Sequence, residues 1–205
     1  VDVDHIEVQR GSITALIGPN GAGKTTLFNL LTGFDTPDTG EWRFDGRSLA
    51  KVVAHKTASM GMVRTFQLTK SLTKMSVIEN MKLGATHQVG ERWWNGLFPF
   101  RWKAQEKLIE QRADQLLQRF KLDHMRNEYA GTLSGGQRKL LEMSRALMTN
   151  PRLVMLDEPM AGVNPALKQS LNEHIRGLRD DGMTVLFVEH DMDMVHDVSD
   201  WVIVM

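Results

Sequence analysis

The sequence predicts an α/β fold with a mainly parallel sheet, a small antiparallel β patch and an inserted α-helical subdomain. Four short apolar runs are typical of buried parallel strands, and they begin at Ile13, Leu153, Thr184 and Trp201. The first three runs end in polar or glycine residues, as strands do when a site lies at the carboxyl edge of a sheet. Helical patterns lie between the runs.

The individual elements follow from local signals. After the first run, "KTTLFNLLTG" predicts a helix that ends at Gly33. "GEWRFDG" then alternates and closes on Asp45 and Gly46, which indicates a hairpin and hence the antiparallel patch. Two further helices are predicted, "QRKLLEMSRALMTNP" ending at Asn150 and "PALKQSLNEHIRGLRDDG" ending at Gly182.

The middle of the chain predicts the helical subdomain. "SVIENMKLGA" opens with Ser76 and Glu79 at the spacing of a capping box, and "RWKAQEKLIEQRADQLLQRF" has the pattern of a long amphipathic helix. We therefore expect a core of residues 1–74 and 131–205, with the subdomain at 75–130.

Composition narrows the possible partners. Lys plus Arg and Asp plus Glu both number 25, so the zero net charge gives no basic footprint and no nucleic-acid partner is expected. The chain has no cysteine, which excludes disulfides and thiolate metal sites. The tryptophan-rich segment at 91–102 is either a cluster that packs the helical insert on the core or a surface for a membrane partner. We expect the chain to be incomplete at both ends.

The stretch "GPNGAGKTT" matches the phosphate-binding pattern G-x-x-x-x-G-K-[ST] between an apolar run and a helix. Its glycines let backbone N–H groups surround phosphate oxygens at a helix N-terminus. Lys24 would reach the β- and γ-phosphates of the nucleotide, and the Thr25 hydroxyl would bind Mg²⁺. This pattern predicts a P-loop NTPase core but leaves kinase, GTPase and ATPase open. The predicted nucleotide-binding residues here are Gly18, Pro19, Asn20, Gly21, Ala22, Gly23, Lys24, Thr25 and Thr26.

An acidic pair favours a hydrolase. "LVMLDEP" places Asp157 and Glu158 at the end of an apolar strand. Asp157 can hold Mg²⁺, directly or through water, while Glu158 can polarise an attacking water molecule.

A second glycine turn, "LSGGQRK", follows far along the chain. Ser134 and Gln137 form a capping box for the helix that begins there. Gly135 and Gly136 cost on the order of 1 kcal/mol each relative to Ala in a helix, so capping alone does not favour them. They indicate that something approaches the backbone closely, and phosphate is the expected occupant.

"GPNGAGKTT", "LSGGQ" and "LVMLDEP", in this order, resemble the motifs of the ATP-binding cassette (ABC) ATPases. The resemblance implies a RecA-like core and a head-to-tail dimer, in which the P-loop of one subunit and the signature turn of the other enclose each ATP. Ser134, Gly135, Gly136 and Gln137 would then bind the ATP of a second ABC ATPase subunit, identical or paralogous.

The same resemblance extends to two further positions. Gln67 in "VRTFQ" corresponds to a glutamine that binds Mg²⁺ or the attacking water, and His190 in "FVEHDM" to a histidine that contacts the γ-phosphate. Glu158, His190 and Lys24 are thus the expected catalytic residues, with Thr25, Gln67 and Asp157 at the Mg²⁺ that accompanies ATP.

The sequence departs from the family pattern in two places. Asn164 stands where the family usually has Asp, and an amide carries no charge, which puts communication between the two ATP sites in doubt. The aromatic residue that stacks on adenine has no counterpart in "VDVDHIEVQRG".

Finally, "GMVRTFQ", "VIEN", "AGVNP" and "VEHDM" resemble the ATP-binding subunits of branched-chain amino acid importers, and next those of urea and amide importers. This implies integral-membrane permease partners, indirectly a substrate-binding protein, and a peripheral location at the cytoplasmic face of the inner membrane. A soluble ABC ATPase acting on DNA or ribosomes is the alternative of another class, but such proteins usually carry a long coiled coil or a second cassette. A small-molecule kinase would leave the second glycine turn unused.

Overall fold

The computed structural model describes residues 2–49, 52–65, 72–85 and 99–205, apart from the side chains at 99–103 and 166. The chain forms two compact units: the first comprises Val1–Gln67 and Pro151–Met205, and the second comprises Leu68–Asn150. The second unit begins earlier than the helical subdomain that the sequence predicts at 75–130. It also ends later, because the helix after the second glycine turn belongs to it. The functional division at 75–130 stays a prediction.

The first unit is built on a parallel sheet. Its five described strands lie in the order β4-β5-β6-β1-β7, and all neighbouring pairs are parallel. The predicted fold class is confirmed, including the four predicted strands. The strands of this sheet are β1 Ile13–Ile17, β4 Met62–Arg64, β5 Leu153–Asp157, β6 Thr184–Val188 and β7 Trp201–Val204.

The structure differs from the sequence prediction at the two ends of the sheet. Strand β4 was not predicted, because three residues are too short for a recognisable apolar run. The run at β7 was expected to be buried, yet Trp201 is 58% and Val204 73% exposed. The reason is that β7 pairs with β1 alone among the described strands and so lies at the edge of the sheet. Strands β5 and β6, in contrast, are buried throughout.

A hairpin forms the predicted antiparallel patch, with β2 at Arg43–Phe44 and β3 at Arg47–Ser48. Asp45 and Gly46 in its turn have φ of 54° and 77°, which suits a two-residue hairpin turn. The Asp45 carboxylate forms salt bridges with Arg10 and Arg152, which fix the turn to the rest of the unit.

Four helices complete the first unit: α1 Lys24–Thr32, α2 Ala54–Ser59, α6 Pro165–Asp180 and α7 Met192–Val198. Helix α1 ends as predicted at Gly33, whose φ of 75° is the left-handed conformation that favours glycine. A Cβ at this position would also lie 2.4 Å from the Val52 carbonyl oxygen. Glycine is therefore required at position 33 both for its φ and for the lack of a side chain.

The second unit is helical in its described part, with α3 Val77–Lys82, α4 Pro99–Arg119 and α5 Gly135–Leu147. Two short 3-10 helices span Asp123–Met125 and Ala130–Thr132. The predicted capping box of Ser76 and Glu79 is present at α3. Residues 91–98 and the side chains that follow lie outside the described part, so the tryptophan-rich segment is not placed.

Charged side chains tie the segment that follows the first 3-10 helix to α4. Arg126 donates to Asp114 of α4 over 2.7 Å and also forms a salt bridge with Glu110. The hydrogen bond to Asp114, and to a smaller extent the one to Glu110, raises the pKa of the Arg126 guanidinium above its ordinary value. In the part of the chain that the structure describes, no helix combines the length and apolarity needed to cross a membrane.

Candidate active site

The candidate site lies at the carboxyl edge of the parallel sheet in the first unit. Strand β1 leads into the P-loop, β5 into Asp157 and Glu158, and β6 into His190. Because β5, β6 and β1 are consecutive parallel neighbours, their carboxyl ends lie side by side. His190 comes just after β6, in the loop before α7.

The P-loop owes its shape to its glycines. Gly21 and Gly23 have φ of 84° and 96°, a backbone conformation that residues with a Cβ rarely adopt. Gly18 has φ of 156°, and a Cβ there would lie 2.5 Å from the carbonyl oxygen of Met205. The fold itself therefore demands glycine in this loop. Pro19, Asn20, Gly21, Thr25 and Thr26 are exposed, whereas Gly18, Ala22 and Gly23 are half-buried.

Lys24 is the buried member of the loop, with 6% of its surface exposed. Its ammonium Nζ donates to the carbonyl oxygens of Gly18 and Pro19 over 2.7 and 2.8 Å. These bonds hold the positive charge against the loop whose backbone would surround the phosphates. A lysine ammonium has three donors, so it suits contact with a phosphate oxygen as well.

Asp157 is held by an arginine that no sequence motif assigns to the site. Arg64 Nη2 donates to Asp157 Oδ2 over 2.7 Å, and each side chain is 6% exposed. Arg64 Nη1 donates to Asn29 Oδ1 over 2.6 Å, and its guanidinium lies 5.4 Å from the centre of the Phe28 ring. A buried carboxylate of this kind needs such a charged partner. Arg64 thus connects the end of β4 with β5 and α1.

Glu158 and His190 meet directly. His190 Nε2 lies 3.4 Å from Glu158 Oε1, and both side chains are partly exposed, so water can reach the pair. Glu158 has φ of 48°, which is uncommon for a residue with a side chain. Its N–H donates to the carbonyl oxygen of Val188 over 3.0 Å, which fixes this conformation against β6. Backbone strain of this kind is concentrated at functional sites.

Glu189 is a second residue that no sequence motif assigns to the site. Its carboxylate is buried and accepts hydrogen bonds from the backbone N–H groups of Met160, His190 and Asp191. No local pattern in "FVEHDM" indicates this role, because Met160 comes from a distant part of the chain. The contact follows only from the adjacency of β5 and β6.

A salt bridge ties α6 to the start of α7. Lys168 Nζ donates to Asp191 Oδ2 over 2.5 Å, and Asp191 also caps α7 by accepting from Met194 N. The bond from Lys168, and after it the one from Met194, lowers the pKa of the Asp191 carboxyl. Asn164 caps α6 in the same way, by accepting from Leu167 N over 2.9 Å.

The signature turn belongs to the second unit. The Gln137 N–H donates to Ser134 Oγ over 3.3 Å, and Gln137 Oε1 accepts from the Ser134 N–H over 2.9 Å, so the predicted capping box is confirmed. Ser134 and Gly135 are exposed, while Gly136 and Gln137 are half-buried. A Cβ at Gly135 would meet no atom within 4 Å. Nothing described within the chain thus requires glycine at this position.

The donor set of the first unit fits Mg²⁺. Mg²⁺ is usually bound by one or two carboxylates together with waters and substrate phosphates. Asp157 supplies a carboxylate and Thr25 a hydroxyl oxygen at the same edge of the sheet. Among the described residues no group of three or more His, Cys, Asp or Glu could hold a metal ion. The remaining predicted ligand, Gln67, lies outside the described residues.

A P-loop after β1, with an acidic pair at the end of a nearby parallel strand, defines the class of P-loop nucleoside triphosphatases. The family model described as "ABC transporter" matches residues 1–161. The chain therefore belongs to the ABC transporter family, as the motifs predicted, and it is an ATPase.

Two curated relatives and one solved structure are similar over nearly the whole chain. The probable branched-chain amino acid transport ATP-binding protein LivG of Archaeoglobus fulgidus is 42% identical, over 98% of this chain and 77% of its own length. The high-affinity branched-chain amino acid transport ATP-binding protein BraF of Pseudomonas aeruginosa is 39% identical, over 98% and 79%. The crystal structure of a nucleotide-free ATP-binding cassette from an ABC transporter has a TM-score of 0.83 and 40% identity, over 98% and 79%.

Proposed function

We propose that the chain is the ATP-hydrolysing subunit of an importer for branched-chain amino acids. The observation that carries the hydrolytic part is the contact of Glu158 and His190 over 3.4 Å, at the sheet edge where the P-loop also lies. The cargo rests on the names of the relatives from Archaeoglobus fulgidus and Pseudomonas aeruginosa, both of which are branched-chain amino acid transport ATP-binding proteins. The direction of transport rests on the resemblance of "GMVRTFQ", "VIEN", "AGVNP" and "VEHDM" to the subunits of importers.

In the proposed mechanism, ATP binds with its β- and γ-phosphates against the P-loop N–H groups and Lys24. Glu158 accepts a proton from a water molecule as that water attacks the γ-phosphorus. His190 donates to a γ-phosphate oxygen and keeps the Glu158 carboxylate directed at the water. The bond from the γ-phosphorus to the bridging oxygen breaks, and ADP and inorganic phosphate are the products.

Mg²⁺ would offset charge on the β- and γ-phosphates when bound with ATP. Thr25 and Asp157 are the described residues proposed to hold it, and Gln67 is the third proposed ligand. Arg64 would keep Asp157 oriented toward this position, because it fixes the Oδ2 atom of that carboxylate.

The signature turn gives the proposal its second half. Ser134, Gly135, Gly136 and Gln137 would bind the ATP held by the P-loop of a second cassette, either a copy of this chain or a paralogue. Binding of ATP would close the pair of cassettes, and hydrolysis would open it. Permease subunits in the inner membrane would follow this movement, with a substrate-binding protein delivering the amino acid and the cassette at the cytoplasmic face.

The replacement Glu158→Gln tests the catalytic assignment. The amide keeps the size of the side chain but accepts no proton, so kcat should fall by roughly 10²–10⁴, the usual contribution of a general base, while ATP affinity is kept. Steady-state phosphate release from the assembled transporter measures kcat, and titration with ATP measures the ATP affinity. Glu173→Gln, the same change at an exposed position of α6, is the control and should hydrolyse ATP normally. A normal rate in Glu158→Gln would refute the assignment.

Uptake assays test the cargo. The full-length chain is expressed with the membrane proteins that co-purify with it, and uptake of labelled leucine is compared with uptake of urea and a short amide. Leucine uptake that depends on Glu158 supports the proposal. Uptake of urea or the amide instead would assign the chain to those importers, and co-purification with ribosomal or DNA-repair proteins alone would refute the transport role.

A further inference from the structure

Glu189 is a buried acid that the proposed mechanism does not use. The residue is 4% exposed and follows β6 directly. Its Oε1 accepts from the Met160 N–H over 2.6 Å, and its Oε2 accepts from the N–H groups of His190 and Asp191 over 2.9 and 3.4 Å. A charged group is costly to bury unless it is well hydrogen-bonded, and these donors supply the bonds.

The two oxygens of this carboxylate serve two different segments. Met160 lies two residues after Glu158, in the turn that follows β5. His190 is the next residue after Glu189 itself. One rigid, planar group thus sets the spacing between the turn that carries Glu158 and the loop that carries His190. Those two side chains meet over 3.4 Å at the exposed side of the same edge.

The segments are also held from their other sides. Glu158 is tied to β6 through its N–H bond to Val188 O over 3.0 Å. Asp191 is tied to α6 through Lys168 and caps α7. The Glu189 carboxylate adds a further connection, from the turn at Met160 to the backbone of His190 and Asp191.

We propose that Glu189 is a positioning residue for ATP hydrolysis, which fixes Glu158 and His190 relative to each other through the backbone at Met160 and His190. This inference rests on the catalytic roles proposed above for that pair. Glu189 is buried, and its described hydrogen bonds all go to backbone N–H groups, so we expect it to affect turnover and not ATP binding.

A carboxylate is needed at position 189, because all the described hydrogen-bond partners of Glu189 are donors. A carboxylate offers acceptors on both oxygens, whereas the amide of glutamine offers one acceptor and one donor group. In Glu189→Gln the NH₂ group would face an N–H group in either orientation, of Met160 or of His190 and Asp191. One of the two segments would move away from the other, although the volume of the side chain is nearly unchanged.

The test compares Glu189→Gln with Glu173→Gln, which makes the same chemical change at an exposed site. In the assembled transporter we expect Glu189→Gln to lower kcat about 10- to 100-fold, in line with the loss of a hydrogen bond to a charged group, and to change ATP affinity by less than about twofold. The ring signals of His190 in the NMR spectrum of the nucleotide-free chain should shift in Glu189→Gln and stay in place in Glu173→Gln.

A second experiment, carried out in the Glu158→Gln variant, separates a positioning role of Glu189 from a general loss of stability. Glu158→Gln already removes one of the groups that Glu189 positions, so adding Glu189→Gln should lower the residual single-turnover rate by a smaller factor than in the wild type. The same factor in both backgrounds would overturn the proposal, and so would a wild-type kcat with unchanged His190 signals. A normal rate in Glu158→Gln alone would instead refute the proposed catalytic role of that residue, which distinguishes the two failures.

Discussion

The P-loop and the signature turn are both glycine turns at the start of a helix, but their glycines are present for different reasons. In the P-loop, Gly21 and Gly23 have positive φ, and a Cβ on Gly18 would collide with the backbone of Met205. At the signature turn, Gly135 lies in open space, and its φ is not among the left-handed ones. The fold explains the glycines of the P-loop, whereas nothing described within the chain requires glycine at position 135.

The side chains of the P-loop and of the signature turn also differ in their hydrogen bonds and in their charge. Lys24 of the P-loop is buried and bonded to the loop carbonyls, and Asp157 nearby is paired with Arg64. The side chains of Ser134 and Gln137 each accept a hydrogen bond from the backbone N–H of the other. This capping box shapes the start of the helix without adding a charge. A complete phosphate site needs more than this turn supplies, which agrees with the proposal that it acts together with the P-loop of another cassette.

The largest expected difference between the two turns is in ATP binding. Lys24→Ala removes the ammonium beside the phosphates, and ATP affinity of the isolated chain should fall by about 100-fold or more, as for loss of a buried charge contact. Gly135→Ala should leave that affinity unchanged. Titration of each variant with ATP measures both affinities. Equal losses of ATP affinity in the two variants would contradict the distinction between the P-loop and the signature turn.

Stability should separate the glycines next. Gly18→Ala forces a Cβ against the Met205 carbonyl and should destabilise the chain by about 2 kcal/mol, in the range of overpacked positions. Gly135→Ala is the matched control, because the added methyl meets nothing and the helix gains roughly 0.5 kcal/mol. Denaturant unfolding of both variants tests this, and a destabilised Gly135→Ala would show that the fold does require glycine there.

The smallest effect concerns the cap alone. Ser134→Ala removes the oxygen that accepts from Gln137 N and should cost about 1 kcal/mol of stability. Ser134→Asn restores a capping acceptor and should recover most of the loss. If neither variant unfolds at lower denaturant concentration than the wild type, the serine is kept for its ligand and not for the helix.

The features that the sequence predicted are those with local signals. The hairpin at Asp45 and Gly46, the end of α1 at Gly33 and both capping boxes depend on residues close together in the chain. Short-range rules of backbone conformation and hydrogen bonding are enough to find such features.

The features that escaped prediction join distant parts of the chain. Arg64 and Asp157 are 93 residues apart, and Glu189 and Met160 are 29 apart. Each contact depends on the order of strands in the sheet, which no short motif contains. Strand β4 escaped for a related reason, since its three residues gain their partner only when β5 is in place.

The central claim is that the two glycine turns act on different ATP molecules, and the ATP affinity of an isolated Gly135→Asp chain tests it most directly. The added carboxylate would repel a phosphate at the signature turn, and the open space around Gly135 accommodates it within the fold. We predict an affinity equal to that of the wild type within about twofold, together with loss of hydrolysis in the assembled transporter. A loss of affinity in the isolated chain as large as that of Lys24→Ala would contradict the account.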